Sequence, residues 1–182
     1  MYHATTARVI YTLYNTNNRM RHIISILLEN EAGALSRVSG LFSARAYNIE
    51  SLTVAPTDEE SISRITVVAY GEDAVVEQIL KQLNKLVDVI KVLNLNESVH
   101  FEREVMLIKV SAQAQQQEQL TTLISSIGAN ILAVSDNVTT LELTDTCSSL
   151  NQALDKLRPF TIVEMVRSGA VGISSGPTPL KI

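Results

Sequence analysis

Apolar residues in the first half of the chain alternate between the periodicity of a strand and that of a helix. Residues 22–28 form a short β-rich run that ends in the polar turn 29–33. The next apolar residues recur every three or four positions, which predicts a helix with one buried face formed by Leu35, Val38, Leu41 and Phe42. Residues 47–55 and 62–70 are rich in β-formers and flank a polar turn that begins at Pro56, so they predict a hairpin.

The rest of this half predicts a second helix at residues 72–85 and a further strand at 87–93. The order of elements is therefore β-α-β-β-α-β. Two helices can cover only one face of the resulting four-stranded antiparallel sheet. Two of its strands nevertheless place apolar side chains on both faces, namely Ile23, Ile24, Ile26 and Leu27 in one strand and Val87, Val89, Ile90 and Val92 in the other. We therefore expect a homodimer in which sheets meet side by side or back to back.

The second half repeats the same order of elements. They are a strand at 105–111, a helix around 120–127, strands at 129–135 and 138–144, a helix around 150–157 and a strand at 161–166. Gly128 is placed to close the first of these helices in a left-handed conformation. Asp136 and Asn137 form a short hairpin turn. The pattern thus predicts an α+β protein of two tandem ferredoxin-like βαββαβ units.

Polar segments set the expected domain boundaries. The expected parts are a first domain at 20–95, a linker at 96–103, a second domain at 104–173 and a tail at 174–182. Residues 1–19 match neither a signal peptide nor a transit peptide. We expect them to be a disordered extension or a misassigned start, with Met20 as the functional first residue.

Composition and charge narrow the functional classes. Apolar residues make up 46% of the 182 residues and charged residues 19%, which is typical of a folded globular chain. The apolar runs are shorter than the roughly 20 residues of a membrane helix. With Cys147 as the one cysteine, no internal disulfide can form, so a reducing compartment fits and we expect a cytoplasmic protein. A net charge of -4 without a dense basic run argues against a nucleic-acid partner.

Two other functional classes share features with this sequence. RNA-recognition proteins use the same fold, but they need aromatic side chains on the inner strands, and this chain has no Trp and three Phe in helix or linker positions. A metalloenzyme or hydrolase needs clustered ligands or a nucleophile beside its base. His3, His22 and His100 are scattered and are interpreted as surface or edge residues. We therefore expect no catalytic residue and no metal site.

The most informative local feature is the turn from the first strand into the first helix, residues 28–35. A helix N-terminus presents unpaired N–H groups and a partial positive charge, so it can hold a carboxylate without a Lys or Arg. Gly33 lets the backbone approach a ligand closely because it has no Cβ. Asn30 can cap the helix or contact a ligand. Taken alone, the turn is better explained by ordinary helix capping, because such turns are common.

The wider context adds a resemblance. The run Asn30-x-x-Gly33-x-Leu35 followed by residues 47–52 resembles the amino-acid-binding ACT domain. Residues 27–38, 47–54 and 167–172 are similar to the regulatory small subunits of acetohydroxyacid synthase, also called acetolactate synthase. The resemblance covers residues 20–176 and is strongest in the first unit. ACT domains often carry Pro before the glycine, where this chain has Ala32.

The resemblance implies a function and a site. It implies a non-catalytic regulatory subunit that activates the thiamine-diphosphate-dependent catalytic (large) subunit and confers feedback inhibition by valine in branched-chain amino-acid biosynthesis. It places the effector between two protomers, with the carboxylate on Asn30, Gly33, Ala34 and Leu35. Asn48 and Ile49 of the other protomer would face the ammonium group and the side chain. No cofactor is expected on this chain, and thiamine diphosphate, Mg and FAD are expected on the catalytic subunit. Leucine and isoleucine remain alternative effectors.

Overall fold

The computed structural model describes residues 20–45, 47–177 and 180. The helices are α1 (Ala34–Ser43), α2 (Asp73–Leu83), α3 (Gln117–Ser126) and α4 (Cys147–Leu157). The strands are β1 (Met20–Glu29), β2 (Ile49–Pro56), β3 (Ile62–Gly71), β4 (Val89–Asn94), β5 (His100–Ser111), β6 (Asn130–Ser135), β7 (Val138–Asp145), β8 (Thr161–Arg167) and β9 (Val171–Ser174). The expected extension at residues 1–19 lies outside the described residues, as do residues 178, 179, 181 and 182 of the expected tail.

The chain divides into two compact units, and the boundary along the chain lies between Glu97 and Ser98. The first unit contains an antiparallel sheet in the order β2-β3-β1-β4, crossed by α1 and α2. The second contains the order β6-β7-β5-β8, which places its strands in the same relative positions. The prediction of two tandem βαββαβ units is therefore confirmed.

The core of the first unit lies between the sheet and its two helices. It contains Ile24, Ile26, Leu28, Ala34, Val38, Phe42, Ile65, Val67, Val76, Ile79 and Leu83, all buried. The prediction that Leu35 faces this core is wrong, because its side chain is 40% exposed. The inward stripe of α1 is Ala34, Val38 and Phe42 at spacings of four, and Leu35 lies about 100° around the helix from the first of them.

The opposite face of the first sheet is also buried at several positions. Ile23, Leu27 and Val68 are at most 3% exposed, so apolar side chains lie on both faces of the sheet, as predicted. Val87 precedes β4 and is 88% exposed. The homodimer expected from these side chains stays a prediction.

The second unit differs from the prediction at its beginning and its end. Residues 100–103, expected in a linker, open the long strand β5, where they pair with β9, a strand that the sequence did not predict. Exposed side chains such as Phe101 and Ile173 lie on this two-stranded ribbon. The strand β9 has only four residues, which is too short for its periodicity to predict a strand, although its backbone hydrogen bonds form in the same way.

The predicted left-handed conformation of Gly128 is confirmed, with φ +66°. A Cβ at this position would meet nothing within 4 Å, so Gly128→Ala tests the backbone alone. We expect the variant to lose about 1 kcal/mol of unfolding free energy in urea denaturation. The matched variant Gly40→Ala, also in open space but inside α1, should instead gain roughly 0.5–1 kcal/mol. Equal effects of the two substitutions would contradict this account.

Candidate functional site

The first turn of α1 begins without a side-chain cap. Gly33 precedes the helix at φ +88° and ψ -13°, and no side chain accepts from the first N–H groups. The N–H of Ala34 donates to the Glu31 carbonyl at 3.2 Å. The N–H groups of Leu35 and Ser36 donate to no residue in the described part of the chain. Two donors at the positive end of the helix dipole are therefore available to an anion.

Asn30 does not cap the helix. Its Nδ2 donates to the Glu60 carbonyl at 2.9 Å, and its backbone N–H donates to the Ser61 carbonyl at 2.7 Å. Both bonds fasten the end of β1 to the turn between β2 and β3. Because a carbonyl can only accept, these contacts fix the amide orientation and leave Oδ1 as an acceptor. An acceptor suits an ammonium group, whereas the resemblance had placed Asn30 on the carboxylate side.

An ion pair that the sequence did not predict stands beside this turn. The Arg37 guanidinium holds the Asp88 carboxylate through two hydrogen bonds, one from Nε to Oδ2 and one from Nη2 to Oδ1 at 2.6 Å. The Asp88 side chain is only 8% exposed, and its backbone carbonyl accepts from the N–H of Glu29 at 2.9 Å. Arg37 lies outside the apolar positions that the periodicity of α1 predicts. No local pattern links it to a residue 51 positions away.

The Arg37–Asp88 pair has a consequence for acid stability. Hydrogen bonds from Arg37 hold the pKa of the Asp88 carboxyl below its usual range. The pair therefore stabilises the folded chain above about pH 4, near the pKa of a free aspartate, and this contribution is lost as the pH falls through the lower folded-state pKa. We expect Asp88→Asn to be less stable at pH 7 and less sensitive to acid, measured by urea denaturation from pH 7 to 2. The unfolding free energy of Asp58→Asn, a substitution in an exposed turn, should change with pH as that of the unsubstituted chain does. The same pH dependence in all three proteins would contradict the prediction.

The residues expected to bind the carboxylate lie together, but they differ in what they offer. Gly33 and Leu35 are exposed at the start of α1. Ala34 is 2% exposed, with its methyl group in the core and its N–H already bonded, so an anion would have to displace that bond. Ser36, which was not among the predicted site residues, has one of the two N–H groups that donate to no described residue. A signal for Ser36 existed, because every residue of a first helical turn is a candidate donor.

Asn48 and Ile49 lie far from this turn within one copy. Ile49 pairs with Ala69, which in turn pairs with His22 near the start of β1. Asn30 lies just beyond the other end of that strand, eight residues after His22, or about 26 Å at 3.3 Å per residue. Asn48 is exposed, whereas Ile49 is half-buried against the core of its own unit. A single copy therefore does not bring the two predicted halves of the site together.

Other candidate groups of the described residues form no alternative centre. No group of three or more His, Cys, Asp or Glu among them is arranged to hold a metal ion. Their helices are also too short to cross a membrane, since the longest have 11 residues. The interpretation of His22 as a surface residue is wrong: it is 4% exposed, and its Nε2 lies 3.2 Å from the Gly71 carbonyl. Its position on the helix-covered face of β1 explains this burial.

Two family models match the chain. Residues 24–91 match the AHAS small subunit-like ACT domain, and residues 103–176 match the small subunit of acetolactate synthase. The acetolactate synthase isozyme 3 small subunit of Salmonella typhimurium is 49% identical over 158 residues, which are 86% of this chain and 97% of that protein. The acetolactate synthase small subunit of Mycolicibacterium smegmatis is 41% identical over 162 residues, covering 89% of this chain and 95% of that protein.

A solved structure extends the likeness. The crystal structure of the acetolactate synthase small subunit from Thermotoga maritima matches with a TM-score of 0.78 at 31% identity, covering 87% of this chain and 99% of that one. The first of the two family models covers the turn that carries Asn30 and Gly33. The chain therefore belongs to the family of acetolactate synthase small subunits, and its first unit is an ACT domain.

Proposed function

We propose that this chain is a regulatory subunit that activates the thiamine-diphosphate-dependent catalytic subunit of acetolactate synthase and makes it sensitive to feedback inhibition by valine. The observation that carries the proposal is the uncapped start of α1 in an ACT domain of this family, where the N–H groups of Leu35 and Ser36 donate to no residue that the structure describes. An amino acid supplies both charges that the turn can bind: a carboxylate for these donors and an ammonium group for Oδ1 of Asn30.

The effector site is proposed to form between two copies of the chain. Asn30 and the start of α1 belong to one copy, and Asn48 and Ile49 to the other, because about 26 Å of sheet separates the two groups within a copy. The exposed amide of Asn48 would add a polar contact to the ammonium group. Exposed apolar surface at Leu35, together with the accessible part of Ile49, would receive the side chain of the effector. A monomer would bind the effector weakly, since it offers only half of these contacts.

The second unit is proposed to contact the catalytic subunit. It lacks a glycine turn like that of Gly33 after its first strand, and its two edge strands expose apolar side chains. Those more than half exposed are Ile131, Leu132, Val134, Val163 and Val166. Exposed apolar side chains of this kind are typical of protein interfaces. The cofactors thiamine diphosphate, Mg and FAD are proposed to reside on the catalytic subunit alone.

Feedback of this kind needs little energy. A coupling of about 1–3 kcal/mol between the effector site and the catalytic partner changes affinity 5- to 150-fold, and the linkage is reciprocal. The catalytic subunit should therefore change the valine affinity of this chain by the same factor. Leucine and isoleucine differ from valine by one methylene, worth about 1–3 kcal/mol in an apolar pocket, so they should bind more weakly without being excluded.

The test is co-purification of the full chain with the catalytic subunit, followed by assays of acetolactate formation with and without valine, leucine or isoleucine. We expect the catalytic subunit alone to be slow and insensitive, and the complex to be faster and inhibited most strongly by valine. Turnover of pyruvate by this chain alone would contradict the non-catalytic assignment. A complex that is stimulated but insensitive to all three amino acids would contradict the effector site.

A further inference from the structure

The guanidinium of Arg37 has one nitrogen that the ion pair leaves free. Nε and Nη2 both donate to the Asp88 carboxylate, and Nη1 donates to no residue in the described part of the chain. A Cβ built on Gly33 would lie 3.1 Å from Nη1 and 3.8 Å from Cζ of the same side chain. The free nitrogen therefore stands directly over the glycine that opens α1.

Asp88 determines where that nitrogen points. Two hydrogen bonds along one edge of a guanidinium fix its plane as well as its position, which a single contact does not. Asp88 is itself held, because it is 8% exposed and its carbonyl accepts from the N–H of Glu29 at the end of β1. Arg37 is 46% exposed, so its free edge remains open to solvent while the paired edge is fixed.

From this geometry we propose that Arg37 is the charged donor that binds a carboxylate oxygen of the effector, and that Asp88 is the residue that positions it. The inference rests on the proposed function and deepens it, since the N–H groups of Leu35 and Ser36 would hold the same carboxylate. An arginine held in this way selects for the carboxylate itself. A ligand with the same side chain but with an amide, or with no group at all, in place of the carboxylate cannot replace the amino acid, because it lacks the negative charge that Nη1 binds.

The proposal also gives Gly33 a second role. A glycine is favoured at this position by its φ of +88°. It is also favoured because a Cβ would lie only 3.1 Å from Nη1 of Arg37. Any side chain at this position would crowd the guanidinium against the ligand. Glu31 is the neighbouring carboxylate whose charge also acts on Arg37, and together with Asp88 it raises the pKa of the guanidinium. Arg37 therefore keeps its charge throughout the physiological pH range.

The experiment is isothermal calorimetry of the full chain with L-valine and with L-valinamide, which keeps the ammonium group and the side chain but has no carboxylate. We expect the unsubstituted chain to bind valine at least 10-fold more tightly than valinamide. Arg37→Gln should weaken valine binding at least 10-fold and reduce that preference, while valinamide binding stays within about twofold. Arg37→Lys should recover part of the preference, and Asp88→Asn should weaken valine binding with the arginine still present.

The matched control is Arg45→Gln, an exposed arginine just beyond the other end of α1, which should change neither ligand's affinity. Circular dichroism and urea denaturation of each variant separate a loss of fold from a loss of binding. If the unsubstituted chain binds none of valine, leucine and isoleucine, the proposed function fails and this inference fails with it. If it binds valine, and Arg37→Gln keeps both the affinity and the preference over valinamide, the proposed function stands and the role of Arg37 is refuted.

Discussion

Gly33→Asp is expected to abolish inhibition by valine while the chain still assembles with its catalytic partner. The backbone at this position has φ +88°, which costs a residue with a Cβ about 1–2 kcal/mol. The new carboxylate would also lie beside Nη1 of Arg37, 3.1 Å from the Cβ position, where it would place a negative charge against that of the effector. Together these effects predict a loss of valine affinity of about 100-fold or more, or roughly 2.7 kcal/mol. Calorimetry and the inhibition assay measure it directly.

The control for this prediction is Gly40→Asp, which introduces the same side chain on the same helix. Gly40 is exposed, and a Cβ there meets nothing within 4 Å. We expect this variant to bind valine and to respond to it as the unsubstituted chain does. Unaltered valine binding by Gly33→Asp would show that the effector site lies elsewhere.

Phe42→Ala is expected to produce the largest loss of stability. Phe42 is fully buried, and it anchors the inward stripe of α1 in the core of the first unit. Truncation of a buried phenylalanine to alanine removes the transfer free energy of the ring and leaves a cavity, at a cost of about 3–5 kcal/mol. Urea denaturation of the full chain should show this loss. Because the same helix carries the effector turn at its start, valine affinity should fall in the same variant.

Phe101→Ala is the matched control, since it makes the same substitution on the exposed ribbon of β5, where the ring is 56% exposed. Its unfolding free energy should change by less than about 1 kcal/mol. A Phe42→Ala loss no larger than that of Phe101→Ala would mean that α1 is not fastened to the sheet through this ring.

The two-unit architecture and the location of the turn could be predicted from the amino-acid sequence. Wherever one face of an element is buried, apolar side chains must recur at 2 or 3.6 residues, so the helices and the long strands could be predicted from their periodicity. The left-handed Gly128 was predicted for an equally local reason, because a helix end requires a residue that tolerates positive φ. The resemblance at Asn30 to Leu35 identified the family, which the comparisons with known proteins confirmed.

The unpaired atoms of the turn could not be predicted from the sequence, because they depend on contacts between distant residues. The pairing of Asn30 with Glu60, of Arg37 with Asp88 and of β5 with β9 joins residues 30, 51 and about 70 positions apart, and no local pattern encodes such contacts. Leu35 is exposed where burial was predicted, and His22 is buried where exposure was predicted. The rotation of a helix and the cover over a strand end depend on packing, which periodicity does not report. Periodicity reports which side of an element is apolar. Which donors remain unpaired depends on every group that folds against them, and that is the property on which the effector site rests.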